Sequence, residues 1–215
     1  MISFKRKILL TLLSMGLVVA NSANAGVKSI PVPTVPEVIF KYAKVCGATP
    51  TSTKNIACKI GTVGPGGGWI FFVDYYNQYS GFTYLEAAPT NISAVVWCNV
   101  STLIPGLDEW SANAVGAGQA NTTAMIGACT SGAANSADLY LTATKSDWFL
   151  GSEGEVMLMY TNLRQAGVGG FVVNDGYWSS TEGSDTHAWG MFFSSGVQNY
   201  PTKDTTQVAR AVRSF

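Results

Sequence analysis

Four cysteines, Cys46, Cys58, Cys98 and Cys129, constrain this chain more than any other feature, because of the segment that precedes them. Lys5, Arg6 and Lys7 form a positive stretch, and residues 8–20 an apolar run broken only by Thr11, Ser14 and Gly16. Ala23-Asn24-Ala25 follows. This order of charge, apolar run and small-x-small triplet is that of a secretory signal over residues 1–25, with cleavage predicted before Gly26. The run is shorter than the roughly 20 residues of a membrane span; an uncleaved N-terminal anchor is the alternative reading. Exported cysteines meet an oxidising compartment, where an even count implies two disulfides. Of the three possible pairings, Cys46–Cys58 and Cys98–Cys129 close the shortest loops and are favoured. No C-x-x-C pair occurs and His187 is the only histidine, so a metal or redox role for the cysteines is poorly supported.

Cleavage would leave 190 residues (215 less 25), enough for one domain burying about 70% of its unfolded surface. The signal holds three of the 13 basic residues and none of the 13 acidic ones, so the remainder carries ten against 13, a net charge of −3. That balance offers no basic tract for nucleic acid and no polybasic patch for lipid. No later segment resembles a membrane span. The expected location is secreted, periplasmic or on the outer cell surface.

Residues 26–58 read as a leader and first cysteine loop. Pro31, Pro33 and Pro36 keep the leader extended. The folded domain is expected over 59–215. Gly64-Pro65-Gly66-Gly67-Gly68 feeds Trp69-Ile70-Phe71-Phe72-Val73, a buried strand after a breaker cluster. The glycines lack the Lys-Ser or Lys-Thr of a phosphate loop and the dinucleotide spacing, which leaves close packing or a sharp turn. A turn over 77–81 and a return strand over 82–87 follow. Helices are expected over 120–128 and 135–142. A third opens at Ser152, whose spacing to Glu155 is that of a capping box, with Val156, Met159, Tyr160 and Leu163 on one face. Strands are expected over 176–180, 188–193, 197–200 and 208–213. Strands, then helices, then strands argue an α+β fold. The 208–213 strand is expected to lie antiparallel to the 69–73 strand, which is apolar on both faces and calls for two neighbours.

Converging ionisable groups of a familiar enzyme are scarce. A Ser–His–Asp site would have to use His187 with Asp185 two residues away, and no G-x-S-x-G elbow exists. Carboxylate pairs occur at Asp108/Glu109, Glu153/Glu155 and Glu182/Asp185. Glu153 and Glu155 fall in a first helical turn, where acids suit the helix dipole. Glu182 and Asp185 are expected on a loop between two aromatic strands. No catalysis, metal or cofactor is expected. The favoured ligand is carbohydrate, for which the candidate residues are Trp178, Glu182, Asp185, Trp189, Asn199 and Tyr200, an aromatic platform beside hydrogen-bonding groups. Core burial of both tryptophans is the competing reading.

Gly66-Gly67-Gly68-Trp69-Ile70-Phe71-Phe72-Val73-Asp74 with Leu85-Glu86-Ala87-Ala88-Pro89 resembles the opening of the C-terminal domain of Legionella collagen-like (Lcl) adhesins. The likeness runs through Gly118-Gln119-Ala120-Asn121-Thr122 and Asp147-Trp148-Phe149-Leu150. It ends in Tyr177-Trp178-Ser179-Ser180-Thr181-Glu182, Ala188-Trp189-Gly190 and Arg210-Ala211-Val212-Arg213-Ser214-Phe215. The resemblance spans residues 61–215. It implies a C-type-lectin-like fold with a mostly antiparallel sheet, two or three helices and paired first and last strands. It also implies an extracellular adhesion module, with polyanionic glycans among its ligands. A polyanion would need Lys203, Arg210 and Arg213 gathered on one face. The chain has no Gly-X-Y tract, has Gly151 where a proline often follows the Trp-Phe-Leu motif, and lacks the Glu-Pro-Asn and Trp-Asn-Asp calcium motifs of animal lectins. An extracellular glycan or a surface protein is the expected partner. The rival functions are an envelope protein-interaction or structural subunit, and an enzyme of unknown reaction.

Overall fold

Aromatic and β-branched residues crowd Trp69–Val73, and this run forms β1 in the computed structural model, which describes Cys46 and residues 57–215. The expected signal, the Pro-rich leader and most of the first cysteine loop lie outside the described residues. β2 (Tyr84–Ala87) returns antiparallel to β1, with Trp69 opposite Ala87 and Val73 opposite Tyr84. β3 (Ile92–Val95) leads to a 3-10 turn, Trp110–Asn113. Helices α1 (Gly118–Ala128) and α2 (Ala133–Asp138) follow, then β4 (Phe149–Leu150), α3 (Glu153–Met159) and a π-helical turn, Tyr160–Arg164. The chain closes with β5 (Gly176–Glu182), β6 (Ala188–Phe192), β7 (Val197–Asn199), β8 (Gln207–Ala209) and β9 (Ala211–Ser214). The fold is α+β. One sheet has the order β1-β2-β9-β4, the other β3-β8-β5-β6-β7, and only the β5–β8 pairing is parallel.

The C-terminal strand does not pair with β1. β2 lies between them, with Glu86 opposite both Ile70 and Arg213. The outer edge of β1 is satisfied by the chain just before it: Gly61 N donates to Ile70 O (2.8 Å) and Ile70 N to Thr62 O (2.9 Å). Asn162 Nδ2 caps Phe71 O at 2.9 Å. A local turn thus supplies the neighbour that the apolar faces call for. The domain's ends still meet, because Phe215, bonded through its backbone to Thr83 and Tyr84, packs against the cluster of Cys58, Ile70, Val73 and Tyr84.

The expected 208–213 strand is two strands. β8 belongs to the five-stranded sheet and β9 to the four-stranded one, and Arg210 stands at the break. Its guanidinium, 1% exposed, donates to the carbonyls of Ala88, Gly169 and Gly170 and to Asn91 Oδ1, and lies over the Phe171 ring. One side chain therefore ties two loops, 88–91 and 169–171, into the seam between the sheets.

Both favoured disulfides are present, with Cα–Cα distances of 4.8 Å for Cys46–Cys58 and 5.5 Å for Cys98–Cys129. The first packs with Ile70, Val73 and Tyr84, the second in a cluster with Trp97, Trp148 and Trp178. The expected helix over 135–142 is displaced to Ala133–Asp138. Buried Ala133, Ala134 and Ala137 let it close against that cluster, whereas Leu139 and Leu141 are exposed. The capping box forms: Ser152 N donates to Glu155 Oε2 at 2.8 Å and Glu155 N to Ser152 Oγ at 3.3 Å. The glycine cluster folds round an internal anion. Gly66 N and Gly68 N reach the buried Glu86 carboxylate at 3.0 and 2.7 Å, and a Cβ on Gly68 would lie 2.0 Å from Ala87 O. Among the described residues no helix is long and apolar enough to cross a membrane.

Candidate functional site

Trp110 is 88% exposed, the most exposed large apolar side chain among the described residues. Its backbone is nevertheless pinned. Leu107 and Ala112 on either side are buried, and Leu107 O accepts from Glu182 N at 3.0 Å. Ala112 O accepts from Asn121 Nδ2 (2.8 Å) and Thr181 Oγ1 (3.1 Å). A rigid turn with both anchors inward holds the indole between them out in water.

The indole stands at a cleft of about 450 Å³, a size suited to a small ligand. Asn113 and Ala114 continue its wall from the same turn. Glu153, Gly154 and Met157 come from α3, Trp189 from β6 and Gln198 from β7. Glu153 is set by its own backbone, whose amide donates to Thr181 Oγ1 at 3.1 Å, and its side chain is drawn to Gln198, whose Nε2 donates to Oε1. Its Oε2 accepts no hydrogen bond from a described residue. Burial pushes the Glu153 carboxyl above the ordinary carboxylate range, and the Gln198 amide opposes that shift without cancelling it. The carboxamide of Asn113 likewise makes no hydrogen bond to a described residue, and its Oδ1 is buried. Trp189 is half-buried, with Tyr200 leaning on it at 4.6 Å between ring centroids. Two indoles, a thioether, one carboxyl and amides with free hydrogen-bonding capacity thus share one concavity.

A second hollow, of about 400 Å³, is lined by Tyr79, Phe82, Gly116, Gln119 and Glu155 among others. Its chemistry is already committed. Glu155 accepts from Gly116 N and Ser152 N, each at 2.8 Å, and the Tyr79 and Phe82 rings stack on one another. Burial raises the Glu155 carboxyl to about 7, against backbone amides that pull it down.

The structure separates the six residues expected to bind ligand. Trp178 is 1% exposed and donates Nε1–H to Val95 O at 2.9 Å, which makes it a core side chain. Glu182 is not a loop carboxylate. It ends β5, is buried, and accepts from Lys203 Nζ and from Ile104 N (2.8 Å). Burial raises its carboxyl, and the lysine bond lowers it. Asn199 donates Nδ2–H to Gln207 Oε1 at 2.6 Å, in the space left by Gly176 and Gly190. Asp185 is exposed on the turn after β5 and makes no hydrogen bond to a described residue. Tyr200 is exposed, stacks on His187 at 5.0 Å and covers Gly183, where a Cβ would come within 2.0 Å of the ring. Of the six, Trp189 alone lines the cleft. His187 Nδ1 lies 2.9 Å from Thr186 Oγ1, not against Asp185.

The sequence expectations do not include Trp110, Asn113, Met157 and Gln198, and they place Glu153 in a first helical turn as a partner of the helix dipole. Trp110 did carry a signal. It sits among Pro105, Gly106, Asp108, Glu109 and Ser111, with no apolar periodicity to bury it.

No family model and no curated protein matches the chain. Among solved structures, a fimbrial protein from Bacteroides ovatus superposes with a TM-score of 0.44 and 10% sequence identity. The match covers 77% of this chain and 40% of that one, so this chain spans about two fifths of that protein's length.

Proposed function

We propose that this chain is an exported, non-enzymatic binding module of C-type-lectin-like fold, which takes carbohydrate in the cleft between Trp110 and Trp189. The observation that carries the reading is the indole of Trp110, fully presented to water on a rigid turn beside free hydrogen-bonding groups. A large exposed apolar side chain next to convergent polar atoms marks a binding surface. Pyranose rings offer apolar C–H faces to an indole and hydroxyls to Glu153, Asn113 and Gln198. The motif likeness to Lcl adhesins, the two disulfides and the meeting of the domain's ends support the lectin-like, extracellular part of the reading. The polyanion implied by that likeness would lack its cationic face, because Lys203, Arg210 and Arg213 are 1%, 1% and 3% exposed and engaged internally.

The second reading is a protein-interaction subunit of the cell envelope, favoured by the exposed Met157 beside Trp110. A glycan array followed by titration of the best hit tests both. Trp110→Ala is expected to weaken glycan binding by about tenfold or more, roughly 1.4 kcal/mol. Its melting temperature should stay near the parent's, as an exposed side chain requires. An array with no hit, or unchanged affinity in Trp110→Ala, overturns the carbohydrate reading. A glycan shortened or chemically changed on incubation with the protein overturns the non-enzymatic part.

A further inference from the structure

We infer that the sugar taken by the Trp110–Trp189 cleft carries a free, protonated amino group. The inference rests on the carbohydrate reading and adds the charge of the ligand.

The lining contains one ionisable side chain, Glu153, and no Lys, Arg or His. Its Oε1 is occupied by Gln198, and Oε2 accepts no hydrogen bond from a described residue. Only 8% of Glu153 is exposed, so solvent compensates its charge poorly. Its raised affinity for a proton reports the same deficit. A neutral hydroxyl would hydrogen-bond the carboxylate but leave its charge uncompensated. An ammonium supplies both the donor and the charge, and hydrogen bonds between ionised partners are the stronger kind. Indole faces add to this, since they attract cations and the C–H groups around them. A carboxylated or sulfated sugar would meet Glu153 with no base at hand to offset it.

The wider surface points the same way independently. Three of the six basic side chains among the described residues, Lys203, Arg210 and Arg213, are buried. Lys59, Lys145 and Arg164 remain at least partly exposed, against exposed Asp108, Glu109, Asp138, Asp175, Asp185 and Asp204. A cationic glycan would be drawn toward such a surface and an anionic one repelled. A free amine, rather than an acetamide, is what this distribution selects.

Three β-1,4-linked tetramers, of glucosamine, N-acetylglucosamine and glucose, differ at the 2-position alone. Titrated into the parent protein near neutral pH, the glucosamine tetramer is expected to bind about five- to tenfold tighter than the other two, the margin of a charged over a neutral hydrogen bond. Added salt should narrow that margin. Glu153→Gln should erase it, bringing the glucosamine tetramer down to the level of the two neutral ones measured on the same variant. Asp185→Asn, which removes a surface charge outside the cleft, should preserve it. Equal binding of all three tetramers overturns the amine inference and leaves the carbohydrate reading standing. An Asp185→Asn loss as large as that of Glu153→Gln overturns it too, because the charge effect would then be diffuse. Failure of all three to bind, together with an empty glycan array, overturns both. The comparison on the parent protein decides the matter even where Glu153→Gln folds poorly.

Discussion

Lys203→Ala should damage this domain more than most single substitutions, and by an amount that acid partly restores. Lys203 is 1% exposed and sits 5.0 Å over the Trp97 ring. Its Nζ donates to Glu182, whose side chain is fully buried, and to Thr102 O at 2.9 Å. Truncation leaves the Glu182 carboxylate with one partner, Ile104 N, and Thr102 O without its lysine donor. Removing one member of a buried pair costs about 3–5 kcal/mol. For a domain of this size that is a fall in melting temperature of about 6–20 °C. Burial already holds the Glu182 carboxyl above its ordinary value, and losing the lysine bond raises it further. A carboxyl with a raised folded pKa binds its proton more tightly folded than unfolded. Its contribution is therefore most favourable below the unfolded value and is lost as pH rises through the folded one. The deficit of Lys203→Ala should accordingly be smaller in acid than above neutrality. Lys203→Met/Glu182→Gln removes both charges and keeps an acceptor for Ile104 N, so it should recover more than half of the loss. Differential scanning calorimetry of the three proteins across pH reads all of this. A single variant within about 2 °C of the parent, or a double variant as damaged as the single, would refute the argument.

Arg210→Lys should cost nearly as much stability as Arg210→Met, about 3 kcal/mol, because an ammonium cannot span the carbonyls of Ala88, Gly169 and Gly170 that the planar guanidinium joins. Urea unfolding with full rescue by lysine would contradict that. For Glu155, the folded carboxyl at about 7 lies above its ordinary 4.5, so its contribution is complete below 4.5 and is lost as pH rises toward and through 7. The window is worth about 3 kcal/mol. Stability of Glu155→Gln should fall less steeply across it than the parent's, and parallel profiles would sink the prediction.

What the sequence determined by itself lies within a few residues of each signal. The Ser152–Glu155 capping box and the breaker-then-apolar entry to β1 reappear in the structure, because each depends on groups close along the chain; the two disulfides reappear as well, their pairing favoured by loop length. Glu182 read as a loop carboxylate because nothing near it shows that Lys203, 21 residues on, is its partner inside the fold. Residues 208–213 alternate as one strand would, yet Arg210 reaches carbonyls 40 to 122 residues away and divides the run between two sheets. The glycine cluster showed its need for close packing, while the anion it wraps, Glu86, emerged only when β2 returned beside β1. The Trp110–Trp189 cleft was the least legible part. Its walls come from a 3-10 turn, a helix and two strands drawn from residues 110–198. Propensity and capping act over one helical turn, whereas burial, charge pairing and the convergence of a site are set by tertiary neighbours, which no local pattern encodes.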